Sequence, residues 1–225
     1  ERIDCNESVQ LCRLVFEYGK QEAKANNALG YSRLAVIAHH DCIGDLITLS
    51  PLLIANRIPV FFIRGLGDVD SETASAITGG DFEKLLVLGV DLHIPDAFLA
   101  KCESHGISCN RLVGKNPYDA NEIINNLITA GKFGDCDLHL DNLIVSSVWN
   151  PSDSFSAGAL AIKTRSAFLL EDPQNLDSVA HAIQYIRKMH GAVKRLTFIG
   201  DQMQFGELDK ELLGKAVVEA NKESV

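Results

Sequence analysis

Residues 39–45 hold the densest group of chemically active side chains in the sequence. The stretch reads HHDCIGD, so two histidines, two aspartates and a cysteine directly follow the apolar run 34–38. Imidazole, thiolate and carboxylate groups are the ligands that transition metals use in proteins. A metal held by His39, Asp41 and Asp45 is therefore one hypothesis for this segment, and a lone metal bound by His39, His40, Asp41 or Cys42 is another. Against it, consecutive residues on an extended strand point in opposite directions and rarely share one ion.

The same stretch is similar to the first motif of the DHH phosphoesterase family. In that motif a histidine at the end of a strand is followed at +4 and +6 by aspartates that hold manganese. Counted from His39, the +6 residue is Asp45, but the +4 residue is Ile43, which cannot ligate a hard cation. The later Asp-His-His motif of the family is also missing. We therefore expect no enzymatic activity, and a metal-dependent phosphoesterase stays as an alternative.

The pattern of residue types in this segment is repeated once, further along the chain. Residues 33–63 align with residues 142–171, and the flanks repeat as well, since RIDCNESVQL from position 2 matches RLVGKNPYDANEI from position 111. Self-similarity of this kind indicates a tandem repeat. We predict two modules of about equal length, 1–109 and 110–225, which pack rigidly because no flexible linker separates them.

The repeat shows which polar side chains both modules share. Val148 and Trp149 stand where the first module has its two histidines, whereas Asp45 matches Asp153, 108 positions later. Both aspartates precede a predicted helix, where a carboxylate caps free backbone N–H groups and meets the positive end of the helix dipole. The alternative is a ligand-binding role, because open α/β sheets bind ligands in the loops beyond the carboxyl ends of their strands.

Each module alternates between strand and helix signals. Short apolar or β-branched runs bounded by Gly, Pro, Asp or Asn are typical of strands buried on both faces of a parallel sheet. In the first module the predicted strands cover 34–38, 58–63, 85–88 and 107–112. This alternation implies right-handed crossovers with helices on both faces. The expected fold is α/β, as two tandem three-layer α/β/α repeats with mostly parallel sheets.

Helices are predicted where apolar residues recur three and four positions apart. The first is expected to begin after Asn6 or Ser8 as its N-cap and to end before Gly19. A second, over 45–56, contains Pro51. Proline inside a helix removes a hydrogen bond, so Pro51 either kinks this helix or marks its first turn.

Charge and hydropathy exclude two classes of partner. The chain has 225 residues and a formal net charge of −9, and its basic residues are scattered, with local clusters at 163–165 and 187–195. Nucleic-acid binding usually requires a basic domain or stripe. No run approaches the roughly 18 consecutive apolar residues that a membrane span needs. We therefore predict that neither nucleic acid nor a membrane is a binding partner. We also predict that the protein uses no cofactor.

The six cysteines contain no C-x-x-C pair, which argues against a zinc ribbon or a thioredoxin-type motif. Cys102 and Cys109 flank the segment ESHGIS, in which Gly106 can take positive φ. This spacing is compatible with a local disulfide in an oxidising compartment.

The order of motifs resembles the cell wall-binding repeat 2 family. Its signature runs R-I-x-G-x-[DN]-R-Y-x-T-A, an apolar strand, a loop with F-x-D-A-L, a helix with P-L-A, then P-I-L-L and a strand ending in V-G-G. The second module gives RLVGKNPYDANEI, DNLIVSSVWNPSDSFSAGALAIKTRSAFLL and RLTFIGD, and the first gives RIDCNESVQL, LAVIAHHDCIGDLITLSPLLIANRIPVFFI and LLVLGVD. Glu7 and Pro117 replace the arginine of the N-R-Y step, and one glycine of the final pair remains in each module, as Gly89 and Gly200.

The resemblance implies a secreted, non-enzymatic module pair at the cell surface, which attaches to an anionic cell-wall polymer or assembles into a surface structure. A chain of net charge −9 binds a polyanion only through a local cationic groove. Arg57 and Arg165, which are equivalent in the repeat, are the candidates, with Lys163 beside one of them. Asp45 and Asp153 are the candidates at the strand ends. The arginines are also explained as helix C-terminal cations that the dipole favours.

Family members generally carry three such modules around a pseudo-threefold axis, whereas this sequence holds two. An unpaired module face is then expected to associate with a second copy or with further modules. A structural subunit of an extracellular assembly, without glycan binding, is therefore another alternative.

Overall fold

The computed structural model describes residues 7–28, 30–133, 138–147, 150–172, 174–201 and 205–222. Strands and helices alternate along these residues. The strands are β1 (Leu34–His39), β2 (Val60–Ile63), β3 (Lys84–Leu88), β4 (Ser108–Leu112), β5 (Asn142–Ser147), β6 (Ala167–Glu171) and β7 (Arg195–Ile199). The helices are α1 (Ser8–Ala25), α2 (Ile43–Ala55), α3 (Ser71–Thr78), α4 (Asp96–Ser104), α5 (Pro117–Thr129), α6 (Pro151–Thr164), α7 (Leu176–Lys188) and α8 (Glu207–Lys222). A short 3₁₀ turn, His40–Cys42, joins β1 to α2.

The chain forms two compact units. Unit 1 comprises Glu1–Ile43 and Asn56–Val113, and unit 2 comprises Gly44–Ala55 and Gly114–Val225. Helix α2 therefore belongs to unit 2 apart from its first residue, although the strands before and after it lie in unit 1. Strand β4 belongs to unit 1. The division of the sequence into modules 1–109 and 110–225 stays a prediction about the repeat. The spatial units differ from these modules because residues 44–55 belong to unit 2.

Unit 1 contains a four-stranded parallel sheet in the order β2-β1-β3-β4. All six residues of β1 are buried, as expected for a central strand covered on both faces. One face of the sheet contributes Ile37 of β1, Phe61 of β2 and Val87 of β3 to a core that Phe16 of α1 completes. The predicted α/β class with parallel sheets is confirmed.

Helix α1 differs from its prediction at both ends. Asn6 lies outside the described residues, Ser8 is the first helical residue, and the N-cap Glu7 makes no side-chain cap hydrogen bond. Gly19 lies inside the helix and does not end it. The ring of Tyr31 packs where a side chain at position 19 would stand, so only glycine allows this close contact. Glycine is present although it destabilises the interior of a helix relative to alanine.

Helix α2 carries Pro51 in its interior, so the alternative that Pro51 marks the first turn is wrong. Proline has no N–H to donate to the carbonyl four residues earlier, which is that of Ile47. The hydroxyl of Ser50 donates to this oxygen at 2.6 Å instead. The side chain of Ile47 packs with Ile144 and Phe168 in the core of unit 2.

Unit 2 contains a three-stranded parallel sheet in the order β6-β5-β7. This order is equivalent to β2-β1-β3 of unit 1. The backbone hydrogen bonds repeat as well: the carbonyl of Arg33, before β1, accepts from the N–H groups of residues 83 and 84, and the carbonyl of Asp141, before β5, accepts from those of residues 194 and 195. The repeat seen in the sequence is therefore also present in the local geometry of the two units.

Within the described residues, no helix combines the length and the apolar character that crossing a bilayer would require.

Candidate functional site

Arg57 and Arg165, the equivalent arginines of the repeat, have the same backbone conformation. Their φ angles are +51° and +52°, in the left-handed region. The carbonyl of Arg57 accepts from Ser32 N–H at 3.1 Å, and that of Arg165 accepts from His139 N–H at 2.6 Å. Each arginine thus follows its helix, α2 or α6, in a left-handed C-terminal turn. Its carbonyl is hydrogen-bonded to the segment just before the central strand of a sheet.

The side chains around these two arginines differ between the units. Both arginines are exposed, and the Arg57 Nε donates to the Gly30 carbonyl at 3.0 Å. Lys163, in the last turn of α6, is exposed near Arg165 in unit 2, whereas Ala55 takes the equivalent position before Arg57. The larger concentration of positive charge therefore belongs to the end of α6.

The basic cluster at 187–195 is occupied by internal partners. Lys188 pairs with the buried carboxylate of Glu122, and Arg187 pairs with Glu219 at 3.1 Å. The other two basic residues donate to asparagine side chains, Lys194 to Asn221 at 2.6 Å and Arg195 to Asn142 at 2.9 Å. These cations stabilise unit 2 and are less available to a ligand.

Asp45 and Asp153 are equivalent in the structure, but they are not N-caps. Each is the third residue of its helix, and the residue that precedes α6 is Asn150. The Oδ2 of Asp153 accepts from Asn150 Nδ2 at 2.9 Å. The cap interpretation is therefore wrong, because the helices begin at Ile43 and Pro151, three residues earlier than they would with these aspartates as N-caps. Burial raises the pKa of Asp45 to about 6.

The predicted polymer-binding residues do not form one site in each repeat. The aspartates lie in the first turn of α2 or α6, whereas Arg57, Lys163 and Arg165 lie at or beyond the last turn of these helices. A helix of 13 residues is about 20 Å long. The carboxylates and the cations are thus at opposite ends of the same helices.

His39, His40 and Asp41 form a cluster at the carboxyl end of β1, in unit 1. Their ligand atoms all lie within 4.8 Å of one another. Asp45 is not part of this group, so the hypothesis that joined Asp45 to His39 and Asp41 does not match the cluster, whereas the alternative that named His39, His40 and Asp41 does, without Cys42. Burial lowers the pKa of His39, and the nearby imidazoles of His93 and His40 lower it further.

His93 was not identified from the sequence. Its ring stacks on that of His39 with centroids 3.9 Å apart and planes 13° apart. His93 lies in the loop after β3, 54 positions from His39, and a lone histidine in a loop gives no signal that it will meet another.

Unit 2 has a different polar group at the equivalent edge of its sheet. Glu171, the last residue of β6, is fully buried, and neither carboxylate oxygen has a hydrogen-bond partner in the part of the chain that the structure describes. Burial raises its pKa to about 7, with Asp209 and Asp172 contributing. The Oδ2 of Asp172 accepts from the Tyr118 hydroxyl at 2.9 Å. The sequence pointed to none of these carboxylates, because a glutamate at the end of an apolar run looks like a strand boundary.

Cys102 and Cys109 are both thiols in this structure. Cys102 is fully buried in α4, and Cys109, on β4, is half-buried with its Sγ 3.8 Å from the Leu99 carbonyl. Burial raises the pKa of both thiols, that of Cys109 to about 12, which disfavours the reactive thiolate.

No family profile matches the chain, and no curated protein sequence matches it significantly. Two solved structures of cell wall proteins match its fold. Cwp8 from Clostridium difficile superposes with a TM-score of 0.71 at 14% identity, over 97% of this chain and 33% of that one. Cwp6 from Clostridium difficile superposes with a TM-score of 0.73 at 12% identity, over 94% of this chain and 31% of that one.

This chain thus spans about a third of the length of these two proteins. At such low identity the similarity concerns the fold, which agrees with the fold that the motif order implied. Membership of the cell wall-binding repeat 2 family stays a prediction.

Proposed function

We propose that the chain is a non-enzymatic, secreted module pair that attaches to an anionic cell-wall polymer at the cell surface. The observation that carries this proposal is the fold similarity to two cell wall proteins over at least 94% of the chain. The motif order of the sequence points to the same class of protein independently of that comparison. Both lines of support concern the whole chain and not one local motif.

Electrostatics restricts where such a polymer would bind. A net charge of −9 repels a polyanion on average, so binding needs a local group of exposed cations. The basic residues 187–195 are held by internal partners. Lys163 and Arg165 at the end of α6, and Arg57 at the equivalent position after α2, are the cations that we assign to the polymer.

Co-sedimentation with isolated cell walls of the source organism tests this assignment across a salt series. Arg57→Gly and Arg165→Gly remove the cations, and glycine suits the left-handed backbone at both positions. Lys163→Gln removes the third cation. Lys101→Gln, on the exposed surface of α4, is the matched control.

The bound fraction is expected to fall with salt and with each of the three variants, but not with Lys101→Gln. Charge contacts with a polyanion are lost as ions screen them, which explains the salt dependence. Folded wild-type protein that stays in the supernatant at low salt would refute the proposal.

A second candidate function is a structural subunit without glycan binding, and the sheet of unit 2 favours it. In unit 1, β4 pairs with β3, whereas β7, the equivalent of β3, has no outer neighbour among the described residues. An open strand edge is a site for pairing with another chain or module. Sedimentation velocity at physiological salt, without any glycan, distinguishes the two functions, since only a self-assembling subunit is expected to form oligomers there.

A further inference from the structure

We propose that His39, His40 and Asp41 of unit 1 form a binding site for a divalent transition-metal ion of the zinc class. This site lies outside the residues assigned to the polymer and goes beyond the proposed function. It occupies the carboxyl end of β1, the inner strand of a parallel sheet, which is where open α/β sheets place their ligands.

The spacing of the ligand atoms fits one ion. The Nδ1 of His39 lies 3.3 Å from Asp41 Oδ2, and the Nε2 of His40 lies 3.1 Å from Asp41 Oδ1. Four ligands placed tetrahedrally at about 2.0–2.1 Å from zinc are roughly 3.3 Å apart. The two imidazoles thus face different oxygens of the Asp41 carboxylate, each at about the separation of two ligands of one ion, and the ligand atoms of all three residues lie within 4.8 Å of one another.

The backbone explains how three consecutive residues can face one point. On an extended strand their side chains would diverge. Here the chain turns after His39, which is the N-cap of the 3₁₀ turn His40–Cys42 and has φ −73° and ψ 148°. The turn brings His40 and Asp41 back toward the ring of His39.

The imidazole of His39 is held in an orientation suited to ligation. Its side chain is 2% exposed, and its Nε2 lies 3.3 Å from the Arg64 carbonyl, which can only accept a hydrogen bond. A neutral ring with its proton on Nε2 keeps the lone pair on Nδ1, which accepts a long hydrogen bond from the Asp41 backbone N–H at 3.3 Å that a bound ion would replace. Histidines that bind metals commonly donate their other N–H to a backbone carbonyl in this way.

His93 supports the site without ligating the ion. Because its ring is stacked nearly parallel to that of His39, the in-plane lone pairs of the two rings cannot converge on one ion. The loop that carries His93 is fixed by Arg111 of β4, which donates to the carbonyls of Gly89 and Ile94. The stacked pair thus fixes the plane of His39 before any ion binds.

The donor set and its exposure select the class of ion. Two imidazole nitrogens and one carboxylate oxygen suit Zn²⁺, Co²⁺ or Ni²⁺, whereas Mg²⁺ and Ca²⁺ prefer oxygen ligands throughout. His40 and Asp41 are 51% and 62% exposed on their side chains, so the ion can enter from solvent. A fourth position remains for water, as in metal sites with three protein ligands.

Metal-depleted protein is titrated with Zn²⁺ by calorimetry and with Co²⁺ by visible absorption. We expect one ion per chain and the intense d–d bands of tetrahedral Co²⁺. His40→Ala and Asp41→Ala remove exposed side chains, so folding is retained, and each should weaken Zn²⁺ binding at least about tenfold. Circular dichroism melting curves verify the fold of each variant.

Two matched controls identify the ligands. His105→Ala removes an exposed histidine at the end of α4, and Cys42→Ser removes the thiol next to the cluster; both should bind Zn²⁺ like the wild type. Absence of Zn²⁺ binding by the wild type overturns the proposal, as does binding that depends on Cys42 and not on His40. The titration involves no cell wall, so its outcome is independent of the proposed polymer binding.

Discussion

The amide of Asn121, on α5, donates to the Thr48 hydroxyl, on α2, at 2.7 Å, and both side chains are buried in unit 2. The second N–H of Asn121 donates to the Phe168 carbonyl on β6 at 3.0 Å. Thr48 also donates to the Gly44 carbonyl at 3.0 Å. This contact places α2, which follows a strand of unit 1, in the interior of unit 2.

Thr48→Val should therefore lower the free energy of unfolding by about 1–3 kcal/mol, because a buried N–H of Asn121 loses its acceptor. Urea denaturation measures the loss. Thr78→Val is the control, since the Thr78 hydroxyl makes a bond of the same local kind, to the Ala74 carbonyl, and no bond to a side chain among the described residues. Equal losses for the two variants would show that the contact with Asn121 adds no stability.

Glu171 should make the protein less stable as the pH rises. Its folded-state pKa, raised from 4.5 to about 7 by burial, means that folding favours the neutral acid. The stability that the neutral carboxyl group contributes to the folded protein is fully present below pH 4.5 and is lost as the pH rises through 7.

Glu171→Gln should then be more stable than the wild type by up to about 3 kcal/mol at pH 8 and similar to it below pH 5. Chemical denaturation across this range provides the measurement. Glu207→Gln, whose side chain is 96% exposed, should show no such trend. A difference between Glu171→Gln and wild type that does not change with pH would argue against a buried titrating carboxyl.

Arg57→Gly and Arg165→Gly should change the free energy of unfolding by no more than about 1 kcal/mol, even though Arg57→Gly loses the hydrogen bond to the Gly30 carbonyl. The left-handed backbone costs a non-glycine residue energy in the folded state, and glycine removes this cost while adding entropy to the unfolded chain. Arg57→Val and Arg165→Val, with β-branched side chains, should instead be less stable. Glycine variants that unfold more easily than the valine variants would contradict the backbone argument.

Ser50→Ala should cost about 1 kcal/mol, because the hydroxyl of Ser50 supplies the hydrogen bond that Pro51 cannot give to the Ile47 carbonyl. In the Pro51→Ala background the restored N–H can take over this role, so the same change should cost less. A double-mutant cycle in urea measures the coupling. Additive losses would mean that the hydroxyl does not compensate for the proline.

Part of the fold was readable from the sequence with accurate bounds. The predicted strands 34–38, 85–88 and 107–112 correspond to Leu34–His39, Lys84–Leu88 and Ser108–Leu112. Continuous apolar runs report burial on both faces in β1 and β3, whereas β4, at the edge of the sheet, has no buried residue and its expected burial is wrong. Helix ends were less accurate, as at Gly19, because the residue that makes glycine necessary there, Tyr31, comes from a later segment.

The candidate sites divide in the same way. The equivalence of Arg57 and Arg165 followed from their spacing, and the structure gives both the same backbone conformation. His39 and His40 were named from the sequence as possible ligands of one ion, but strand periodicity argued against that grouping, because the 3₁₀ turn that brings them together has no strong sequence signal.

The sequence by itself determined the α/β class, the tandem repeat and the positions of its equivalent residues, since these depend on local periodicity and on comparing the chain with itself. Only the tertiary structure decided that α2 packs in unit 2, that His93 stacks on His39, and that Glu171 is buried without a partner. Each of these depends on contacts between residues far apart in the chain. Such contacts depend on how the surfaces of several helices and strands fit together, and a short segment of sequence does not contain this information.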